Sequence, residues 1–221
     1  MKIMLMGVPG AGKGTHAAAL AETLQVPQIS TGDMLRAAVS AGSTLGREAD
    51  GFMIRGNLVP DRVVIELVAQ RVRGADCANG YILDGFPRTV EQAQAKREAG
   101  IRLDLVLDLY VPETEIMERM TGRRVHPASG RIYHVTRHPP RVTGRDDVTG
   151  EPLVQRSDDA EEVVAKRLAS YSAMAAALTA YYERWAASGD PQAPRCLRVD
   201  GSGDVATSRA RVFAALGVCR T

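Results

Sequence analysis

A segment rich in glycine, Gly7 to Thr15, stands between a short apolar run and a helical run, and it limits the folds open to this chain. Residues 3–6 are apolar and have the length of one buried strand, whereas residues 17–24 have a helical pattern. Glycines between them let the backbone turn sharply. The sequence therefore predicts a strand, a tight loop and a helix in direct succession.

Further apolar runs are bounded by turn residues and separated by segments of helical length. They lie at residues 28–29, 81–83, 105–110 and 197–199. Runs without alternating polar positions are typical of strands buried on both faces, and strands that alternate with helices favour parallel pairing. The sequence thus predicts an α/β fold of three layers, with a parallel sheet between helices.

Two segments interrupt this alternation. Residues 121–159 hold four glycines, four prolines, seven arginines and five acidic residues but few large aliphatic side chains, so we expect little core there. Residues 30–59 are helical in pattern but stand between two predicted strands. We expect a core domain of residues 1–29, 60–121 and 160–221, with insertions at 30–59 and 122–159.

The composition argues against several classes of protein. A net charge of +2, with 5% aromatic residues, gives neither the basic field nor the stacking platform of a nucleic-acid binder. No segment looks long and apolar enough to span a membrane, and residues 3–6 are too short for a signal peptide. The scattered Cys77, Cys196 and Cys219 predict no disulfide framework, so we expect a cytoplasmic protein.

An apolar stripe runs from Val164 to Trp185 at spacings of three and four residues. It is either the seam of a coiled-coil dimer or, as its length of about three heptads favours, a face packed on the core of the same chain. We therefore expect a monomer. Asp159 precedes this helix and is a candidate for its N-cap.

The segment from Gly7 to Thr15 also has the chemistry of a phosphate-binding loop. Its glycines let backbone N–H groups approach a phosphate, the next helix directs its positive end there, and Lys13 reaches the outer phosphates. No glycine stands three residues after Gly12, which excludes the dinucleotide-binding pattern. Gly14 separates Lys13 from Thr15 and argues against direct magnesium ligation by the Thr15 hydroxyl.

Several arginines stand in or beside loops marked by Gly, Pro or Asp. A guanidinium binds phosphate oxygens in pairs, and phosphoryl transfer depends on charge stabilisation and positioning. Any one of them alone would be read as a solvated surface residue. Together with the loop, they indicate two polyphosphate substrates that meet at their phosphates. They are Arg36, Arg88, Arg123, Arg156 and Arg167.

Longer motifs make this chain resemble the adenylate kinases. They are GVPGAGKGT at 7–15, QISTGDMLR at 28–36, LDGFPRT at 83–89, GRR at 122–124, DDVTG at 146–150, RSDD at 156–159 and KRL at 166–168. The resemblance implies a P-loop nucleoside triphosphate hydrolase-like fold. In it, residues 30–59 form an AMP-binding insertion, and residues 122–159, called the lid segment below, fold over ATP.

The resemblance also implies roles for individual residues. Catalytic roles fall on Lys13, Arg88, Arg123, Arg156, Arg167, Asp158 and Asp159. ATP binding falls on Gly10, Ala11, Gly12, Lys13, Gly14, Thr15, Arg119, Arg123, Ile132, Tyr133 and Gly203, with Arg119 against the adenine. AMP binding falls on Thr31, Arg36, Asn57, Leu58, Val59, Gly85, Phe86, Pro87, Arg88, Gln92, Arg156 and Arg167.

Three aspartates have alternative interpretations. Asp84 ends a predicted strand at the edge where parallel sheets place ligands, and the resemblance implies that it holds magnesium through water; the alternative is a helix cap. Asp158 and Asp159 orient Arg156 and Arg123 or close the lid segment, while capping stays open for Asp159.

The lid segment holds three of the four histidines and no cysteine. Some relatives bind structural zinc here through four cysteines. The corresponding residues in this chain are His126, Ser129, Asp146 and Thr149. One imidazole, one carboxylate and two hydroxyls make a poor zinc site, so we expect a hydrogen-bonded substitute and no zinc.

The expected reaction is reversible transfer of a phosphoryl group, ATP + AMP = 2 ADP, with magnesium as cofactor and with no nucleic-acid or membrane partner. One alternative is a kinase for another nucleoside monophosphate or with GTP as donor, because base selection depends on few contacts. Thr31 and Gln92 favour adenine at the acceptor. The other alternative is a nucleotide-binding regulatory module without transfer activity.

Overall fold

The computed structural model describes residues 1–55, 57 and 59–217 of the chain. Its strands are β1 (Lys2–Met6), β2 (Gln28–Ser30), β3 (Tyr81–Asp84), β4 (Leu105–Tyr110), β5 (Arg123–Val125), β6 (Ile132–His134) and β7 (Arg195–Asp200). In these ranges, five strands form a parallel sheet in the order β2-β3-β1-β4-β7. The predicted parallel sheet is confirmed, including the short strand at residue 28.

Helices connect the strands and cover the sheet. They are α1 (Lys13–Leu24), α2 (Thr31–Ser40), α3 (Thr44–Ile54), α4 (Asp61–Arg71), α5 (Val90–Glu98), α6 (Glu113–Thr121), α7 (Glu161–Ala186) and α8 (Val205–Leu216). Short 3-10 turns lie at Ala75–Cys77 and Ser157–Asp159.

The central strand β1 shows how the layers form. Met4 and Met6 pack into one core cluster, which includes side chains of α4 and α7. Ile3 and Leu5 point to the opposite face and pack with side chains of α1 and α8. All four are at most 2% exposed, which accounts for the continuous apolar run of a strand covered on both faces. The three-layer α/β fold is thus confirmed.

The topology places a crevice at the carboxyl end of β1. This strand pairs with β3 on one side and with β4 on the other, and the chain passes from the β2-β3 half of the sheet to the β4-β7 half across it. Ligands of open parallel sheets bind at such a switch point. The glycine-rich loop starts there.

The apolar stripe of α7 packs within the chain. Val164, Leu178 and Tyr182 are at most 1% exposed, and they belong to the two core clusters on the sheet. This burial confirms the core-packing interpretation of the stripe. The helix begins at Glu161, and Ala160 stands at its N-cap position without a side-chain hydrogen bond. The capping interpretation of Asp159 is therefore wrong.

The two predicted insertions contain elements outside the parallel sheet. Helices α2 and α3 lie within residues 30–59, and α2 is capped by the Ser30 hydroxyl, which accepts from the Asp33 N–H. The lid segment contains β5 and β6 as an antiparallel pair. The domain boundaries stay a prediction. In the described part of the chain, every helix is too short or too polar to cross a membrane.

Candidate active site

The loop after β1 passes directly into α1. Gly10 and Gly12 have φ angles of 83° and 93°, in the left-handed region that side chains disfavour. Since Gly12 precedes the helix, Lys13, Gly14 and Thr15 form its first turn, although the sequence placed the helical run further on. The N–H groups of a first turn have no partner within the helix, so this turn offers donors to an anion.

The Lys13 side chain crosses the loop. Its ammonium group donates to the carbonyl oxygens of Gly7 at 2.8 Å and Val8 at 3.0 Å. It also lies 5.9 Å from the ring centre of Tyr171 on α7. These contacts hold the ammonium group at the mouth of the loop.

Lys13 lies in a strongly cationic environment. Burial lowers the pKa of Lys13 from its ordinary 10.5 to about 8. The carboxylate of Asp84 opposes this shift, and nearby cations add to it. These cations are Arg88, Arg167 and Arg123. The predicted catalytic cations are thus close enough to affect one another, and a polyphosphate would supply the missing negative charge.

Asp84 ends β3 beside the first turn of α1. A Cβ atom added to Gly14 would lie 3.3 Å from the Asp84 carboxylate, which explains why glycine suits this position of the loop. Gln28 donates to the same carboxylate at 3.3 Å. Burial raises the pKa of Asp84, and Lys13 opposes this shift. The next helix is capped by Thr89, so the capping interpretation of Asp84 is wrong.

A cavity of about 310 Å³ is lined by the loop, the segment after β3 and α7. Arg88 and Arg167 line it from different elements. The Arg88 Nε donates to the carbonyl oxygen of Gly85 at 2.7 Å, and the Arg167 Nη1 donates to the Asp158 carboxylate at 2.8 Å. Both guanidinium groups are therefore oriented by the chain itself.

A second cavity, of about 100 Å³, adjoins the first, since both are lined by Asn57, Gly85, Arg88 and Arg167. Most of the predicted AMP-binding residues line this second cavity. They are Thr31, Arg36, Asn57, Val59, Gly85, Arg88, Gln92 and Arg167. Two adjoining cavities with arginines in their common wall can hold two anionic ligands end to end.

The sequence model of the adenylate kinase family matches residues 5–187 of the chain. The match spans the loop, the residues that line both cavities, and the lid segment. This chain belongs to the adenylate kinase family. It is therefore a nucleotide-binding phosphotransferase of the nucleoside monophosphate kinase type.

In this adenylate kinase family member, Arg123 and Asp159 form a two-pronged ion pair. The Arg123 Nε donates to one carboxylate oxygen at 2.7 Å, and its Nη2 donates to the other. The Asp159 side chain is fully buried, and that of Arg123 is 19% exposed. Asp159 thus has the partner that the sequence predicted, while its catalytic importance stays a prediction.

Asp158 has a different partner from the predicted one. It was expected to orient Arg156, but its backbone and side-chain oxygens accept from Arg167 at 3.0 and 2.8 Å. Asp158 and Asp159 are neighbours in a 3-10 turn, where consecutive side chains point in different directions. Burial lowers the pKa of Arg156, and the charges of Arg123 and Arg36 contribute. Arg156 therefore belongs to the same cationic cluster.

The wall of the second cavity has an internal hydrogen-bond network. The Thr31 hydroxyl donates to the carbonyl oxygen of Gly85 at 3.2 Å. The Gln92 amide oxygen accepts from the Arg88 N–H at 2.8 Å, and its nitrogen donates to Asp61 at 2.6 Å. Gln92 is 2% exposed. This side chain fixes the segment that carries Arg88.

Some predicted AMP-binding residues do not line either cavity. Phe86 is 1% exposed and belongs to the core, and Pro87 is buried. A motif identifies such residues by position and cannot separate a side chain that contacts ligand from one that packs beneath it. Leu58 lies outside the described residues.

Arg119 joins the loop to the chain segment after β7. Its Nη1 donates to the carbonyl oxygen of Ala11 at 3.4 Å, and its Nη2 donates to those of Gly201 and Gly203 at 2.9 Å. Its Nη2 also pairs with Glu115 at 2.8 Å. The structure thus brings together three residues predicted on the ATP side: Ala11, Arg119 and Gly203.

The four lid positions that correspond to cysteines in zinc-binding relatives form one hydrogen-bond network. The His126 Nδ1 lies 2.7 Å from the Ser129 hydroxyl. The Thr149 hydroxyl donates to Asp146 at 2.9 Å and lies 3.4 Å from the His126 Nε2. Glu151, which the sequence did not single out, lies 2.5 Å from the same Nε2. Within the described ranges, no group of three or more His, Cys, Asp or Glu residues is placed to hold a metal.

Asp146 is the centre of this network. A two-pronged hydrogen bond from Arg131 holds the pKa of Asp146 well below its usual range, although burial opposes this shift. The Tyr133 hydroxyl donates to Asp146 at 2.9 Å. Tyr133, predicted with Ile132 to flank the donor base through its backbone, therefore uses its side chain inside the lid segment. The Ile132 side chain is 38% exposed.

Sequence reasoning missed several residues of the cavity walls. Lys166, Ser170 and Met174 line the larger cavity from α7, as does Tyr171, which had been assigned to the apolar stripe. Their spacing of four residues places the first three on one face of the helix. This face lies next to the apolar stripe, and the combination of periodicity with the known Arg167 could have identified it.

The neighbouring ion pairs of Asp159 and Asp158 predict different losses of stability. Replacing Asp159 by Asn leaves a largely buried Arg123 without its charge partner, so we expect a loss of about 3 kcal/mol in the free energy of unfolding. The matched change at Asp158 is expected to cost less, about 1 kcal/mol, because this side chain is 30% exposed and water can replace part of its contact with Arg167. Urea unfolding at pH 7 measures both. Equal losses would contradict the importance of burial at Asp159.

Proposed function

We propose that this chain is an ATP:AMP phosphotransferase that interconverts ATP plus AMP with two ADP by direct in-line transfer. One observation carries the proposal: Arg88 and Arg167 line both adjoining cavities, and Lys13 lines the larger one. Polyphosphates entering from the two sides would meet at these cations. Preorganised charges of this kind stabilise the phosphoryl group during transfer.

In this proposal the donor phosphates bind to the first turn of α1 and to Lys13. Arg88 and Arg167 contact the transferred group, because they stand where the two cavities join. Arg123 and Arg156, near the two ends of the lid segment, add charge when this segment closes and excludes water. No covalent enzyme intermediate is needed.

Asp158 and Asp159 then act as positioning residues. Each holds the guanidinium group of one proposed catalytic arginine, Arg167 or Arg123, through hydrogen bonds. A fixed orientation reduces the rearrangement needed when the substrates arrive.

Asp84 fits the role of a magnesium-binding residue in the substrate complex. Magnesium in such sites is held by one or two carboxylates and by substrate phosphates, and it keeps several waters. Asp84 presents one carboxylate beside the first turn of α1, where Gly14 contributes no side chain. Bound magnesium would neutralise part of the charge of the donor phosphates. Asp84 would hold it through water, so the Thr15 hydroxyl need not be a ligand.

The choice of adenine at the acceptor rests on Thr31 and Gln92, which line the smaller cavity and stand in or beside the motifs that resemble those of adenylate kinases. The remaining alternatives are another nucleoside monophosphate or GTP as donor, since the phosphate machinery would be shared. We also propose that residues 30–59 form the AMP-binding domain and residues 122–159 the lid of a monomeric cytoplasmic enzyme.

Parallel assays with different acceptors test the reaction. With ATP and magnesium, we expect nucleoside diphosphate to form from AMP at least about 100-fold faster than from CMP, UMP or GMP. Chromatography of the reaction products measures these rates. Lys13→Ala and Arg88→Ala should each lose at least about 100-fold in turnover, because each removes a preorganised charge. Preference for another acceptor would refute the adenine assignment, and no transfer to any acceptor would favour the regulatory module.

The pKa of Lys13 predicts a pH-dependent affinity for ATP. The free protein loses the Lys13 proton above about pH 8, whereas bound phosphates favour the charged form and raise its pKa. We therefore expect proton uptake on binding and an affinity about tenfold weaker at pH 9 than at pH 7. Calorimetry in buffers of different ionisation enthalpy measures both. Lys13→Arg serves as the control, because its guanidinium stays charged, and the same pH dependence in this variant would refute the assignment.

We propose that the lid network replaces zinc. Prolonged dialysis against a chelator is then expected to leave the melting temperature unchanged, because hydrogen bonds and not a metal hold the lid segment together. Asp146→Asn should lower the melting temperature, since it removes the charge that accepts from Arg131, Tyr133 and Thr149. A clear loss of melting temperature on chelation, restored by added zinc, would overturn the proposal.

A further inference from the structure

Glu115 lies on α6 and links three parts of the chain. Its Oε1 accepts from the Arg119 Nη2 at 2.8 Å, from the Arg137 Nη1 at 2.7 Å and from the Gly203 N–H at 3.0 Å. The Glu115 side chain is 17% exposed. One carboxylate oxygen thus joins α6, the lid segment and the loop after β7.

The contacts of Arg119 show what this arrangement fixes. Besides Glu115, Arg119 donates to the carbonyl oxygens of Ala11, Gly201 and Gly203. Hydrogen bonds to a guanidinium lie at the edge of its plane. They fix the plane and are compatible with stacking of its flat face on a nucleobase.

The charge of Glu115 is essential to this arrangement. Burial favours its neutral form, but hydrogen bonds from Arg137 and Arg119 outweigh burial and hold the pKa of Glu115 below its ordinary value. Both guanidinium groups donate to the same oxygen, so they lie close together. Without the carboxylate, these two positive charges would repel each other.

We propose that Glu115 is a positioning residue for the donor nucleotide, which holds Arg119 and the Gly203 loop in place for the donor base and ties them to the lid segment through Arg137. The inference rests on the proposed function, in which Arg119 contacts the donor base. Glu115 acts through Arg119 and the backbone at Gly203, and it lines neither cavity.

Glu118 provides a matched control on the same helix. It pairs with the same Arg137 side chain, at 2.8 Å from Nη2 and 3.3 Å from Nε. Its side chain is 57% exposed. The described hydrogen bonds of its carboxylate go to Arg137, whereas those of Glu115 extend to Arg119 and Gly203. A change at Glu118 therefore weakens the link to the lid segment and spares the donor-base side.

Steady-state kinetics of Glu115→Gln and Glu118→Gln tests the inference. We expect Glu115→Gln to raise the KM for ATP about tenfold, because a charge-assisted contact to Arg119 is lost. The KM for AMP and the kcat at saturating ATP should stay within about twofold, because the acceptor cavity and the phosphate-binding cations are untouched. Glu118→Gln should leave all three constants within about twofold. The preference for ATP over GTP should fall in Glu115→Gln alone.

Calorimetry of ATP binding at equilibrium gives a second readout that does not depend on turnover. A second variant is Glu115→Asp, whose shorter side chain keeps the charge but moves it away from Arg119. Weaker ATP binding in both Glu115 variants supports the inference. An unchanged KM and affinity for ATP, or equal effects of Glu115→Gln and Glu118→Gln, would overturn it. Failure of the proposed function is distinguishable, because the unmodified protein would then transfer to no acceptor or prefer one other than AMP.

Discussion

The concentration of positive charge at the carboxyl end of β1 is the constraint on which the site depends. Arg88, Arg123 and Arg167 lie close enough to Lys13 to lower its pKa in addition to the effect of burial. Nearby carboxylates offset part of this charge: Asp159 pairs with Arg123, and Asp158 with Arg167. The cluster remains short of negative charge, so it is stabilised most by an anion that reaches several cations at once. A polyphosphate meets this requirement better than a single phosphate does.

The fold keeps these cations in place because it takes them from different elements. Lys13 belongs to α1, Arg88 follows β3, Arg123 lies on β5 and Arg167 on α7. Lys13 and Arg88 lie on segments that follow β1 and β3, whose sheet is buried on both faces, and close-packed interiors resist deformation. Arg123, in the lid segment, is held through its ion pair with Asp159 instead. The site therefore combines a rigid part with a part that depends on specific polar contacts.

The sequence predicted the elements better than the partners of individual side chains. Strands buried on both faces leave continuous apolar runs, and the glycine-rich loop has a backbone requirement that residue types reveal. The partner of Asp158 depends on the direction of its side chain in a single 3-10 turn, which no spacing rule fixes. Asp61, which holds Gln92 across 31 residues, had no local signal at all. Long-range pairing of polar groups becomes visible only once the strands are assembled.

The lid segment is held to α6 by polar contacts, in contrast to the apolar contacts of the core. Arg137 pairs with Glu115 and Glu118, and the His134 Nε2 lies 3.1 Å from the Glu118 carbonyl oxygen. The Glu118 side chain is 57% exposed, and an exposed ion pair exchanges with water at little cost in free energy, whereas apolar contacts do not. Within the segment, Asp146 accepts from several donors at once, so its interior is held more firmly than its attachment. Glu115 connects this polar attachment to Arg119, because it pairs with Arg137 of the lid segment and with Arg119 on α6.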